Sequence, residues 1–135
     1  MQLMTYVNYP GTCEDAFNFY ARHLRGRITN LMRHKDSPGP SNTGPEWGEK
    51  VLHAHLDLGG SALLGADVPN AQPMRSAYLT LTVDTVAEAE RIFPLLSDGG
   101  EIFMPMQQTF FASRFAMMRD RFGTSWMLLG PQATA

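Results

Sequence analysis

Two histidines and an aspartate alternate along one short segment of this 135-residue chain. Residues 51–58 read Val-Leu-His-Ala-His-Leu-Asp-Leu, an alternation with the period of a β-strand. Successive side chains of a strand point to opposite faces, so we expect His53, His55 and Asp57 to share one face. The other face would carry the apolar set Leu52, Ala54, Leu56 and Leu58.

Three interpretations of the two histidines are open. In the first, both imidazoles are hydrogen-bonded within the polar wall of a pocket. In the second, they bind a metal ion completed by Asp57, Gln107 or Glu49, since two neutral ligands alone lack the further ligands that catalytic zinc sites show. In the third, His53 or His55 is a general acid or base, because the pKa of an imidazole lies near neutrality.

A second candidate site lies near the end of the chain. The apolar segments 114–118 and 125–129 predict two strands of a β-hairpin. Between them, residues 120–123 read Asp-Arg-Phe-Gly. An Asp side chain can bond its own backbone two residues on, and Gly accepts a positive φ, so this tetrapeptide predicts the turn. With Met118 opposite Met127, both methionines would lie on the same face of the sheet.

Arg114 would then be the one polar group on a methionine-rich face, which indicates the lining of a small-molecule cavity. Its guanidinium could clamp a carboxylate or phosphate of a ligand, or pair with Asp57 or Glu101. Trp126, on the opposite face from Met127, is predicted to pack against a helix. We interpret the methionines as adaptable core rather than as a cofactor site: Met104, Met106, Met117, Met118 and Met127.

The elements that position these residues repeat along the chain. Each half reads as a strand, a helix and three more strands, and the helix N-cap candidates Thr12 and Thr85 are followed by stops at Gly26 and Gly99 at the same spacing. We therefore predict an α+β fold of two βαβββ modules related by a pseudo-two-fold axis, with mixed sheets curled round a shared cavity. The predicted boundaries are 1–66 for the first module, 67–73 for a linker and 74–135 for the second module.

The first half carries extra residues in a segment rich in proline and glycine. Residues 38–46 show no hydrophobic pattern, so we expect a long loop there that is mobile without a ligand. Trp47 follows this loop and is a candidate to hold its end in place.

Composition narrows the class of protein. With 44% hydrophobic and 18% charged residues and a net charge of -2, the chain resembles an ordinary soluble domain and carries no electrostatic footprint for nucleic acid. No apolar run is long enough for a membrane span, and no signal peptide is expected. The single cysteine, Cys13, excludes an intrachain disulfide, suits a cytoplasmic location and is expected to be buried and inert.

Four segments carry a resemblance to a known family: 6–20, 52–56, 104–115 and 120–127. Together they resemble the PhnB-like branch of the vicinal oxygen chelate superfamily, which includes glyoxalase I, bleomycin-resistance proteins and extradiol dioxygenases. The resemblance covers nearly the whole chain and implies paired βαβββ modules. Members of this branch are sometimes labelled demethylubiquinone methyltransferases, but no glycine-rich nucleotide loop follows a strand in this sequence.

The resemblance also implies where metal ligands would lie. The superfamily's metalloenzymes use two histidines and two glutamates, and three of these positions fall on or near Thr5, Tyr78 and Met127 here. A hydroxyl, a phenol and a thioether are poor replacements for imidazole and carboxylate. We therefore expect the inherited metal site to be absent, and we expect no cofactor.

The sequence thus favours a protein that binds a small organic molecule in a cavity. The alternative is a lyase, isomerase or dioxygenase with a remodelled metal site or a histidine-based site, and an interaction protein with a residual cavity is a third class. Whether the chain is an enzyme stays open. A homodimer is expected, because related proteins commonly pair two chains. The candidate ligand-binding residues are His53, His55, Gln107, Arg114, Tyr78, Met127 and Trp47.

Overall fold

The computed structural model describes residues 1–38 and 44–133. The chain divides into two compact units, residues 1–72 and 73–135. Each unit is built as strand, helix and three further strands, and each contains one four-stranded mixed sheet. The α+β fold with two βαβββ modules is therefore confirmed.

The first unit places its helix between the first and second strands. Its elements are β1 (Thr5–Tyr9), α1 (Cys13–His23), β2 (Arg27–Arg33), β3 (Val51–Asp57) and β4 (Ala62–Asp67). The strand order is β1-β4-β3-β2, with β1 and β4 parallel and the other neighbours antiparallel. Two short 3-10 helices, His34–Asp36 and Pro45–Trp47, lie between β2 and β3.

The second unit repeats this topology. Its elements are β5 (Leu79–Thr82), α2 (Val86–Ser97), β6 (Glu101–Gln107), β7 (Phe115–Arg119) and β8 (Ser125–Leu129). The strand order is β5-β8-β7-β6, again with one parallel pair, β5 and β8, and antiparallel neighbours elsewhere. Corresponding strands thus occupy corresponding places in the two sheets.

One face of the first sheet is covered by α1. Phe17 of this helix lies over Gly65 of β4, where an added Cβ would come within 2.8 Å of the Phe17 ring. Ala54 and Leu56 are fully buried on this face, as the alternation in β3 predicts. Because the helix occupies this side, the side chains that alternate with Ala54 and Leu56 lie on the opposite face of the sheet.

The helix of the second unit covers its sheet in the same way. Buried residues of α2 face a buried set on β7 and β8, and Trp126 is 2% exposed within that set. The prediction that Trp126 belongs to the helix-packing core is confirmed. The buried residues of this core are Ala89, Ile92, Leu96, Ala116, Met118, Trp126 and Leu128.

One predicted boundary differs from the structure, and one predicted loop lies largely outside the described residues. Asp67 is the last residue of β4 rather than the first residue of a linker. The predicted mobile loop 38–46 lies in large part on residues 39–43, which are outside the described part of the chain. Within the described ranges, no helix has the length and hydrophobicity needed to cross a membrane.

Candidate functional site

The open face of the first sheet carries two histidines, each held by a hydroxyl group. Nδ1 of His53 lies 3.0 Å from the hydroxyl of Tyr6 on β1, and the two ring centroids are 5.6 Å apart. Nδ1 of His55 forms a hydrogen bond with Oγ1 of Thr29 on β2. The shared face predicted from the alternation therefore exists, and side chains from β1 and β2 fix the orientation of both rings.

Tyr6 is suited to hold the His53 ring in one tautomer. Partial burial, and secondarily the nearby Cys13, raise the pKa of the Tyr6 phenol above its ordinary value. The phenol therefore keeps its proton at neutral pH, and its O–H can donate a hydrogen bond to Nδ1 of His53. A neutral imidazole that accepts at Nδ1 carries its proton on Nε2, which is then a donor toward a ligand.

An open cleft of about 630 Å³ lies at one end of this face. The segment leading into β1 and the hairpin between β3 and β4 form its walls, which include Thr5, His55, Asp57 and Ser61. Its volume lies within the range of small-molecule sites, roughly 300–1,000 Å³. Of the predicted site residues, His55 is the one that the structure places in the wall of this cleft.

A smaller cavity of about 280 Å³ adjoins the start of α1 and is lined largely by charged side chains. Arg33 makes a two-pronged contact with Glu14, at 3.0 and 2.9 Å, and its Nη1 also donates to the Glu49 carbonyl. The Arg33 hydrogen bond lowers the pKa of Glu14. The Glu49 carboxylate pairs with Lys35 at 2.6 Å. Glu49, one of the residues considered as a metal ligand, is thus engaged with cationic side chains.

Asp67 is a central residue that the sequence analysis missed. It is 1% exposed, and its carboxylate accepts backbone hydrogen bonds from Gly11, Cys13 and Val51 at 2.9–3.0 Å. The N–H of Cys13, the first residue of α1, and that of Gly11 before the helix are therefore satisfied from within the protein. The one available signal was an acidic residue at the end of an apolar strand, which gives no indication of such distant partners.

Cys13 is fully buried beside this carboxylate, as expected. Burial, followed by the negative charges of Asp67 and Glu14, raises the pKa of its thiol far above the ordinary range. A thiol that stays protonated is a poor nucleophile and a poor metal ligand. Cys13 therefore takes no part in the candidate site.

The hairpin of the second unit has a different register from the one predicted. Met117, and not Met118, lies opposite Met127, while Met118 lies opposite Trp126 in the core. The prediction was wrong by one residue because the turn is longer than four residues: the Asp120 N–H bonds the Thr124 carbonyl, and Arg119 pairs with Ser125. A shift of one residue moves every side chain of a strand to the other face.

The register correction changes which arginine shares a face with Met117 and Met127. Arg114 precedes β7, and its guanidinium pairs with Glu90 of α2 at 3.1 Å rather than with Asp57 or Glu101. Arg119 takes the place predicted for Arg114. Its guanidinium donates to the Met74 carbonyl at 2.6 Å, approaches the carboxylate of Glu101 at 3.7 Å and lies over the ring of Phe103.

The remaining predicted residues occupy separate places. Tyr78, just before β5, contacts Phe103 edge to face with centroids 6.3 Å apart. Gln107 ends β6 and lies opposite Phe115, while Met127 is half-buried on β8. Trp47 ends a 3-10 helix of the first unit and lies edge to face with His34.

A tightly bound divalent cation needs several imidazole, thiolate or carboxylate ligands close together. Among residues 1–38 and 44–133, no three or more histidine, cysteine, aspartate or glutamate side chains lie together where they could hold a metal ion. Thr5, Tyr78 and Met127, on or near the ligand positions that the resemblance implies, offer no imidazole and no carboxylate. The residues at those positions therefore do not fit the metal of the superfamily's enzymes.

Comparisons with known proteins identify the family. The family model described as 3-demethylubiquinone-9 3-methyltransferase matches residues 1–129. Protein PA1353 from Pseudomonas aeruginosa is 36% identical, with a TM-score of 0.87 over 98% of this chain and 99% of that chain. A putative 3-demethylubiquinone-9 3-methyltransferase, PhnB protein, from Bacillus cereus is 27% identical, with a TM-score of 0.80 over 97% of this chain and 100% of that chain.

A more distant structure shows the same fold. The glyoxylase/bleomycin resistance protein/dioxygenase domain from Frankia is 12% identical, with a TM-score of 0.65 over 100% of this chain and 95% of that chain. The resemblance inferred from the four sequence segments is confirmed. The chain belongs to the family described as 3-demethylubiquinone-9 3-methyltransferase, as the match over residues 1–129 and the similarity to the PhnB protein show.

Proposed function

We propose that this protein binds a small organic molecule on the open face of its first sheet and does so without the superfamily's metal. One observation carries the proposal: His53 and His55 lie side by side on that face, each fixed at Nδ1 by a hydroxyl group, and His55 borders a cleft of about 630 Å³. Fixed polar groups beside an open cleft are what orient a ligand in a small-molecule site.

The second nitrogen of each ring supports the same interpretation. Within the described part of the chain, both rings make their hydrogen bonds at Nδ1, which leaves each Nε2 for a ligand. Apolar side chains lie beside the histidines on the adjacent strands. Leu64 is opposite His55, and Met32 is opposite His53. A ligand with both polar and apolar groups suits this mixture.

Methyl transfer, which the family description names, is not part of the proposal. A nucleotide-like cofactor in an α/β fold is held by free backbone N–H groups where a strand leads into a helix. In the first unit, the N–H groups of Gly11 and Cys13 at this place bind the Asp67 carboxylate. The negative charge of Asp67 would also repel a phosphate or carboxylate group there.

A second candidate is a metal-independent enzyme that moves a proton, such as an isomerase or lyase. The Tyr6–His53 hydrogen bond favours this candidate, because a phenol that holds an imidazole in one tautomer is a suitable arrangement for acid–base catalysis. The binding function requires only that Nε2 of His53 touches the ligand. Turnover of a bound compound that is lost in Tyr6→Phe while binding persists would favour the enzyme.

The test is a thermal-shift screen of the wild-type protein against small organic molecules and divalent metals, because a ligand of the native state raises apparent stability. A ligand present at 100 times its Kd should stabilise the protein by about 2.7 kcal/mol. His53→Ala and His55→Ala should lose most of that shift. His23→Ala, on α1, is the control and should retain it. Unchanged shifts in both test variants would exclude this face as the site.

We further propose that the protein acts in the cytoplasm as a homodimer. A single buried cysteine is compatible with a reducing compartment. Two-fold pairing is the commonest assembly among soluble homo-oligomers.

A further inference from the structure

We propose that the cleft beside Asp57 and His55 binds the cationic end of its ligand, a primary ammonium or a guanidinium group. This inference rests on the proposed binding function and adds the chemical class of the ligand. It follows from comparing the same place in the two units, which share one topology.

Asp57 and Arg119 occupy corresponding positions. Asp57 ends β3 and pairs with Ala62, the first residue of β4. Arg119 ends β7 and pairs with Ser125, the first residue of β8. Each is therefore the last residue of the third strand of its unit, immediately before the hairpin turn.

In the second unit, the Arg119 guanidinium fills this place. It donates at 2.6 Å to the carbonyl of Met74, in the segment that leads into β5. It also approaches Oγ of Ser125 at 3.4 Å and the carboxylate of Glu101, on the adjacent strand, at 3.7 Å. A guanidinium thus lies between the segment before the first strand and a carboxylate of the sheet.

In the first unit, the corresponding place is an open cleft with a carboxylate in its wall. Asp57 accepts the Gly59 N–H at 2.9 Å through Oδ1, and no described residue donates to its Oδ2. The segment before β1, including Gln2, and Thr5 at the start of β1 form the facing wall. The carboxylate is therefore available where a cation would complete the arrangement seen in the second unit.

The residues that lie opposite Arg119 and Asp57 on the adjacent strands also have opposite charges in the two units. Glu101 lies opposite Arg119 in the second unit, and Arg27 lies opposite Asp57 in the first. The Arg27 side chain is exposed, and no ion pair joins it to Asp57 within 4.0 Å in the described part of the chain. Arg27 is thus the internal cation that would compete with a ligand for Asp57.

The other residues that line the cleft indicate the chemistry of the remaining part of the ligand. Leu3, Met4 and Ala62 provide apolar contact, and His55 provides a ring nitrogen next to the carboxylate. A short apolar body that ends in an ammonium or guanidinium group matches these walls. Charge complementarity of this kind contributes most to selectivity between ligands of opposite charge.

The test compares three compounds of similar size and shape by NMR titration: phenethylammonium, 3-phenylpropanamide and 3-phenylpropanoate. We expect the ammonium compound to bind about tenfold more tightly than the carboxylate, to shift the His55 and Asp57 signals, and to weaken with added salt. Asp57→Asn retains an acceptor for Gly59 and should weaken ammonium binding about tenfold, as expected for loss of one charge-assisted contact of about 1.4 kcal/mol. Asp36→Asn, an exposed change outside the cleft, is the control.

Arg27→Gln distinguishes the proposed cation site from an anion site. Removal of the competing guanidinium should strengthen ammonium binding, whereas an anion-binding cleft would lose affinity. Tighter binding of 3-phenylpropanoate, or an Asp57→Asn affinity equal to wild type, would overturn the inference. If the carboxylate compound binds and His53→Ala weakens it, the proposed function stands and the cation inference fails. No binding by these probes or by any compound of the thermal-shift panel would count against both.

Discussion

The indole Nε1 of Trp126 donates a 2.8 Å hydrogen bond to Oδ2 of Asp120, a carboxylate that is 4% exposed. Oδ1 of the same carboxylate accepts the backbone N–H groups of Phe122 and Thr124 at 2.9 and 3.0 Å. Asp120 therefore closes the turn between β7 and β8 and ties that turn to the helix-packing core.

Removing this carboxylate should destabilise the second unit. Asp120→Ala leaves one indole and two backbone donors without this acceptor, and hydrogen bonds to a charged group contribute about 1.5–3 kcal/mol each. Since such losses are not additive, we expect the free energy of unfolding to fall by roughly 2–4 kcal/mol. Urea unfolding measures this decrease in the free energy of unfolding. Asp84→Ala, at an exposed site, should change stability by less than about 0.5 kcal/mol, and equal effects of the two variants would contradict this account.

This turn also shows how far sequence reasoning reaches. Asp120 and Gly123 predict a turn because each has a conformational reason to be there. The register is not predictable from the same residues, since it depends on Asp120 capturing Thr124 and so lengthening the turn. For that reason the sequence predicts Arg114 on the methionine-rich face, whereas the structure has Arg119 there.

The histidine face and Asp67 show the same contrast within the first unit. A period of two places His53 and His55 on one face whatever the surroundings, so the sequence predicts it. The partners Tyr6 and Thr29 come from other strands and depend on the pairing of the sheet. Asp67 has partners that are up to 56 residues away, and no local pattern indicates them.

The Glu14–Arg33 pair predicts part of the acid sensitivity of the protein. The hydrogen bond from Arg33 lowers the folded-state pKa of Glu14 below 4.5, its ordinary value. Its contribution to stability is therefore present above that value and is lost as the pH falls through the folded-state pKa. The hydrogen bond from Lys35 likewise lowers the pKa of Glu49, so the stability that this pair contributes is also lost as the pH falls.

We expect Glu14→Gln to lose less stability than wild type when the pH is lowered from about 6 to about 3. Urea unfolding at several pH values measures the difference. Asp15→Asn, at an exposed neighbour on α1, should leave the pH dependence close to that of wild type. Parallel stability–pH curves for wild type and Glu14→Gln would show that the pair does not contribute.

Exposed apolar side chains of the second unit predict that two copies of the chain associate. β6 is an edge strand, and its Ile102 and Phe103 are exposed, as is Phe110 in the loop that follows, which is 95% exposed. Exposed apolar side chains near an unpaired edge favour contact with another chain. Light scattering at micromolar concentration should give about twice the chain mass of 15.0 kDa, and Ile102→Lys should lower that value. A wild-type mass of 15.0 kDa would contradict the homodimer.

The last prediction concerns metal content. The family resemblance implies that Thr5, Tyr78 and Met127 stand on or near the positions of imidazole and carboxylate ligands, and none of the three offers such a ligand to a divalent cation. His53 and His55 alone would form a weak, open site, because two neutral ligands lack the third and fourth ligands that zinc sites show. Elemental analysis of purified protein should therefore find less than one equivalent of zinc, iron, manganese or nickel per chain.

Ligand binding should survive a chelator, and His53→Ala should change ligand affinity without changing metal content. About one tightly bound metal per chain, lost in His53→Ala, would instead establish a remodelled metal site, and Asp57 would be the first carboxylate to test as its further ligand.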